Sequence, residues 1–126
     1  MIVVDASTVV DHLLGVDTRL LDGDFGRMHA PHLIDHEVLS AIRRICLSGG
    51  LSTTRALDAL NDFTDLRVTR WLAAPDLRKR AFELRQDVSA YDAAYIALAE
   101  SFDCPLITRD ERLARTAARL IDVHVL

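Results

Sequence analysis

The chain has 126 residues, half of them hydrophobic, and a net charge of −4. That is enough for one domain, residues 1–126, around its own core, and too acidic for indiscriminate polyanion binding. Cys46 and Cys104 lie far apart with no CxxC pair, which excludes a thiolate zinc site and a disulfide framework; with no basic leader and no apolar run near the roughly 18 residues that span a bilayer, a soluble cytoplasmic protein is expected.

Ile2-Val3-Val4 is a short apolar run ending at Asp5, the pattern of a strand buried on both faces of a parallel sheet. Ser7 is the expected cap of a helix from Thr8 to about Leu14, stopped by Gly15. Val16 to Gly26 has no periodicity and reads as a loop. Met28 to Ala30 reads as a second strand, with Pro31 opening a helix from about Leu33 to Leu47 whose inner stripe is Ile34, Val38, Ala41, Ile42 and Ile45. Glu37 borders that stripe. A helix starting at Ser52 or Thr53 runs through about Phe63, Leu66 to Trp71 reads as a strand, and Pro75 introduces a helix to about Gln86.

Ser89 opens a nearly all-apolar helix, followed by an Asp-Cys-Pro turn, a brief buried strand and Asp110 as cap of a last helix. Asp92 shares a helix face with Tyr95, Ile96 and Ala99, apolar surroundings for an acid. The S-x-x-D spacing also fits a capping box, a purely structural role. Arg112, Arg115 and Arg119 line the outer face of the last helix, and Val123 to Leu126 forms an edge strand. Short apolar strands alternating with helices imply a three-layer α/β/α fold around a mostly parallel sheet.

In such folds the ligand crevice lies at the carboxyl ends of the strands, where Asp5 and Asp110 follow strands and Glu37 and Asp92 sit near helix starts. Each acid alone has a structural explanation. Together they repel, by roughly 4 kcal/mol for a pair about 4 Å apart at an effective dielectric of about 20, and so call for protons or a cation. An all-oxygen donor set suits Mg²⁺ or Mn²⁺. All but one of the 15 basic residues are arginines, whose planar fork matches phosphate. A carboxylate-held ion beside arginines suits phosphodiester hydrolysis, with Thr108 orienting an aspartate or water and Arg109, Arg112 and Arg115 guiding a phosphate backbone.

Four stretches, I-V-V-D-A-S-T-V-V at 2–10, P-H-L-I-D-H-E-V-L-S-A-I-R-R at 31–44, S-A-Y-D-A-A-Y-I-A-L-A-E at 89–100 and P-L-I-T-R-D-E-R-L at 105–113, carry a resemblance. In this order they resemble the PIN-domain endoribonucleases, specifically the VapC-type toxins of bacterial toxin–antitoxin pairs. The resemblance implies that Asp5, Glu37, Asp92 and Asp110 are the catalytic, metal-binding quartet, with Ser7 and Thr108 as supports. It further implies Mg²⁺ or Mn²⁺ dependence, cleavage of single-stranded RNA, a homodimer, and inhibition by a cognate antitoxin whose tail occupies the site.

Rival readings are weaker on the residues. A phosphoacceptor domain needs a lysine after its last strand, whereas Lys79, the one lysine, falls in a helix. A dehalogenase-like phosphatase needs D-x-D where the chain reads Asp5-Ala6-Ser7. A non-catalytic RNA-binding or partner-binding module would not need all four acids. His32 and His36 lack the H-E-x-x-H order of a zinc protease, and His12, His29 and His124 read as surface or edge-strand residues.

Overall fold

The computed structural model describes residues 1–22 and 25–126, with the backbone alone at 21 and 22. Five strands, β1 (Ile2–Val4), β2 (Met28–Pro31), β3 (Val68–Trp71), β4 (Leu106–Thr108) and β5 (Val123–Val125), form one sheet in the order β3-β2-β1-β4-β5. Every pairing is parallel, with Val3 opposite both His29 and Leu106. The sheet is therefore wholly rather than mostly parallel. β1 is central, and each of its three side chains is buried.

The connections explain where a site can form. From β1 to β2 to β3 the chain moves toward one edge of the sheet, and from β3 to β4 to β5 toward the other. Right-handed crossovers then put the intervening helices on opposite faces. Helices α1 (Ala6–Leu13), α2 (Arg19–Asp22), α3 (Ile34–Leu47) and α4 (Thr53–Asp65) follow the first direction, and α1, α3 and α4 pack on one another. Helices α5 (Pro75–Glu83), α6 (Ala90–Phe102) and α7 (Glu111–Ala117) follow the second. The strand order reverses between β1 and β4, and in parallel sheets ligands bind beyond the carboxyl ends of the strands at such a reversal.

The apolar character of α6 has a direct cause. It lies on β1, β2 and β4 and carries α5 on its other side, which buries Ala93, Tyr95, Ile96, Ala97, Leu98 and Ala99. A helix covered on two sides has no need of a polar stripe. It ends where Asp103 adopts a left-handed conformation at φ 49°, tolerated by aspartate and followed by the turn into β4. Gly15 and Gly49, at φ 72° and φ 85°, end the first and third helices in the same way.

Several expectations are corrected. Asp5, not Ser7, caps α1, because the Asp5 side chain accepts the Thr8 N–H while Ser7 already lies within the helix. The stretch 16–26 contains α2, and its residues 23–24 lie outside the described residues. β3 begins at Val68 because Leu66 still closes α4, and α5 ends at Glu83 rather than Gln86. Cys104 is buried as expected, but Cys46 only half so. Among the described residues no helix is long and apolar enough to cross a membrane.

His29 is neither a surface nor an edge residue. It is buried on β2, where its Nδ1 accepts the Trp71 Nε1–H at 2.9 Å and its ring packs on Phe102 at 5.1 Å. Burial, with the positive charges of the Met1 amino group and Arg27, pushes the imidazole below its ordinary pKa of 6.5. The neutral form is thus favoured by folding. Its stabilising contribution is complete above the ordinary value and is lost as pH falls through the depressed folded value. A protonated Nδ1 also has no lone pair for Trp71. Lowering the pH below about 6.5 is expected to lower the melting temperature and, once it passes through the depressed folded value, to shift the emission of Trp71, the single tryptophan; His29→Phe should abolish the emission shift.

Candidate active site

β1 ends in Asp5, which is only 5% exposed. Its Oδ1 accepts the Thr8 N–H at 3.0 Å, and the Ser7 hydroxyl lies 2.8 and 2.9 Å from its two oxygens. Oδ2 also accepts the Thr108 hydroxyl from the end of β4. Burial nevertheless pushes the carboxyl above its ordinary pKa, against the pull of the bonds from Thr108, Thr8 and Ser7. Asp5 lacks positive charge rather than hydrogen bonds.

The same hydroxyls fasten the neighbouring turn. Thr108 Oγ1 accepts the Asp110 N–H at 3.0 Å, and Ser7 Oγ accepts the Arg109 N–H at 3.2 Å. Asp110 then caps α7, its Oδ1 accepting the N–H groups of Arg112 and Leu113 at 2.9 and 3.1 Å. Its other oxygen lies 3.6 Å from the Arg112 guanidinium, which also reaches Asp92 Oδ2 at 3.0 Å. Ser89 caps α6 by accepting the Asp92 N–H at 3.1 Å. Of the capping box read from sequence, the Ser89 half forms, while the Asp92 side chain turns toward the α7 start and pairs with Arg112 instead of returning to the cap amide.

Glu37 enters from the first turn of α3 and accepts the Tyr95 hydroxyl at 2.6 Å. Burial pushes its carboxyl above the ordinary value; the Tyr95 bond opposes this, while the negative charges of Asp92 and Asp5 add to it. Glu37 therefore senses two of the other acids, and Asp110 is joined to them through Thr108 and Arg112. The four acids gather at one edge of the sheet. Among the described residues, though, no group of three or more His, Cys, Asp or Glu side chains already forms a cage for one ion.

The arginines divide. Arg112 bridges two of the acids, and Arg115 is exposed on α7 beside Val123 and Val125. Arg109 is engaged elsewhere, with its Nε 2.6 Å from Asp11 and its NH1 on Asp17. It clamps the end of α1 and the following turn to the β4–α7 turn. Sequence reasoning missed this clamp and the Tyr95 partner of Glu37. A tyrosine within an aliphatic helix was the available signal, because a buried hydroxyl needs an acceptor.

A family model described as PIN domain matches residues 2–119. The chain belongs to the PIN-domain family. Among curated members, Ribonuclease VapC9 of Mycobacterium tuberculosis is 42% identical over 118 residues, which cover 92% of this chain and 91% of that one. Two solved structures share the fold. Mycobacterium tuberculosis VapC20, titled a Sarcin-Ricin loop cleaving toxin, has a TM-score of 0.70 at 19% identity, covering 91% of this chain and 94% of that one. VapBC2 from Rickettsia felis, bound to a DNA fragment from its promoter, has a TM-score of 0.70 at 13% identity, covering 99% and 98%.

The donor chemistry of this PIN-domain site fits an oxygen-preferring divalent cation. Carboxylates and hydroxyls surround a buried acid whose pKa is raised by burial despite three hydrogen-bonding neighbours. Such ions keep several waters and need only one or two direct carboxylates, so a closed protein cage is not required. The raised pKa of Glu37 has a consequence for stability. A group raised in the folded state stabilises below its unfolded pKa, and that contribution is lost as pH rises through the folded value. In EDTA, Glu37→Gln is therefore expected to melt about 2–5 °C above wild type near pH 8 by calorimetry, with the gap closing toward about pH 4.

Proposed function

We propose that this chain is a divalent-metal-dependent endoribonuclease that hydrolyses RNA phosphodiester bonds in the cytoplasm, as the toxin of a toxin–antitoxin pair. The observation that carries this reading is the buried, charge-deficient Asp5 at the strand-order reversal, with Glu37, Asp92 and Asp110 beside it. It is supported by close relatives that are named ribonucleases. Asp5, Glu37, Asp92 and Asp110 would hold Mg²⁺ or Mn²⁺, and Ser7 and Thr108 would keep Asp5 oriented.

When bound, the cation supplies Lewis acidity toward a phosphoryl oxygen and lowers the pKa of water near the scissile bond. The protein's own groups do the rest. Thr108 and Ser7 donate to Asp5 and hold it in one orientation, so its charge needs no reorganisation during the reaction. Among the described residues no protein donor reaches Glu37 Oε2, which is placed to accept a proton. Arg112, once its carboxylates are otherwise neutralised, is freed to pair with a phosphate oxygen, and Arg115 extends that basic edge.

The antitoxin reading is supported by the fold shared with VapBC2 and by an apolar groove of about 560 Å³ lined by Leu33, Trp71, Leu72, Phe82 and Tyr91. Exposed aromatic side chains of this kind anchor protein partners. The reading also includes a homodimer, which light scattering on the purified chain checks.

The decisive experiment incubates purified protein with single-stranded and structured RNAs. Cleavage is expected with Mg²⁺ or Mn²⁺, absent with EDTA, and at least about 100-fold slower in Asp5→Asn. Equal cleavage in EDTA would sink the proposal.

A further inference from the structure

Glu37 and Asp92 belong to different layers of the molecule. Glu37 is on α3, which packs with α1 and α4, and Asp92 is on α6, which lies on the sheet beneath α5. Burial disfavours the charged form of Glu37, and the nearby carboxylates of Asp92 and Asp5 add to this, so bringing it to them as an anion is opposed by like charge. Something has to hold it. Among the described residues, the Glu37 carboxylate makes one hydrogen bond, from the Tyr95 hydroxyl at 2.6 Å.

Tyr95 is well suited to this task. It is 2% exposed and packed within the core, so its ring has no freedom to follow a moving carboxylate. It lies one turn after Asp92 on the same helix. The hydroxyl therefore refers the position of Glu37 to the helix that carries Asp92, across the end of the sheet. It donates to Oε1 only, which leaves Oε2 available. A short bond from a neutral donor to a carboxylate is directional and among the stronger protein hydrogen bonds.

We infer that Tyr95 is a positioning residue, whose hydroxyl holds Glu37 against the repulsion of Asp92 and Asp5 so that the acids from the two layers can take up one divalent cation together. The inference rests on the metal-dependent reading of the site and specifies which residue assembles it. Tyr95 itself touches neither ion nor RNA. Its effect passes through Glu37 alone.

A double-substitution cycle in Mn²⁺ binding tests this, measured by calorimetric titration without RNA on wild type, Tyr95→Phe, Glu37→Gln and the double variant. Tyr95→Phe is expected to weaken Mn²⁺ binding about tenfold in the wild-type background and by less than about twofold in the Glu37→Gln background. With RNA, Tyr95→Phe should lower kcat and leave KM unchanged. Equal weakening in both backgrounds would mean a general structural role and overturn the inference, as would an unchanged Mn²⁺ affinity in Tyr95→Phe. Glu37→Asp provides a second route should Tyr95→Phe fold poorly, since it leaves the core intact but withdraws the carboxylate from the hydroxyl. It should weaken Mn²⁺ binding to a similar degree, and full affinity would overturn the inference. Wild-type protein that takes up no Mn²⁺ overturns the metal-dependent reading and this one together, whereas wild-type uptake with an unaffected Tyr95→Phe overturns this one alone.

Discussion

The burial of one carboxylate at the end of the central strand governs the carboxyl edge of the sheet. Removing Asp5 from water costs several kcal/mol, and hydrogen bonds to a charged group return about 1.5–3 kcal/mol each. The N–H of Thr8 and the hydroxyls of Ser7 and Thr108 supply those bonds, yet burial still dominates the acid's pKa. The balance leaves a site that is geometrically satisfied and electrostatically incomplete. The same donors join β1 to the β4–α7 turn, so the two strands flanking the reversal in strand order are locked at the point where ligands bind in parallel sheets.

Around that acid, charge is managed by neighbours of different kinds. Arg112 lies between Asp92 and Asp110 as an internal counter-cation. Among the described residues a neutral hydroxyl is the one donor to Glu37, so it feels the charges of Asp92 and Asp5 with little relief. Arg109, adjacent in sequence to Asp110, is drawn off by Asp11 and Asp17 and stabilises the scaffold instead. A cluster of like charges can thus persist without consuming the modest stability of a small domain, about 5–15 kcal/mol. The apolar groove beside α5 and α6 makes a separate surface demand, because Leu72, Phe82 and Tyr91 remain largely exposed.

Much of the architecture was legible beforehand because local physics decides it. Ile2-Val3-Val4 before Asp5, the apolar stripe of α3, the Ser52 and Ser89 caps and the Asp-Cys-Pro turn depend on periodicity and on nearby hydrogen bonds, and each appears where expected. The errors occur where local rules tie. Ser7 and Asp5 are both good capping residues, and Asp5 prevails because its backbone also extends the sheet through the Ile107 carbonyl. His29 looked like an edge residue, because nothing local shows that β3 pairs outside β2 and that Trp71 and Phe102 cover the imidazole.

The sequence by itself determined the residue types and their order: four acids at strand ends and helix starts, short buried strands, and arginine in place of lysine. These are consequences of composition and of periodicity along the chain. Only the tertiary structure decided which polar groups meet. Tyr95 and Glu37 are 58 residues apart, Thr108 and Asp5 are 103 apart, and Arg109 and Asp17 are 92 apart. No pattern along the chain encodes such pairs, because their distances are set by strand order and by the packing of two helical layers around one sheet.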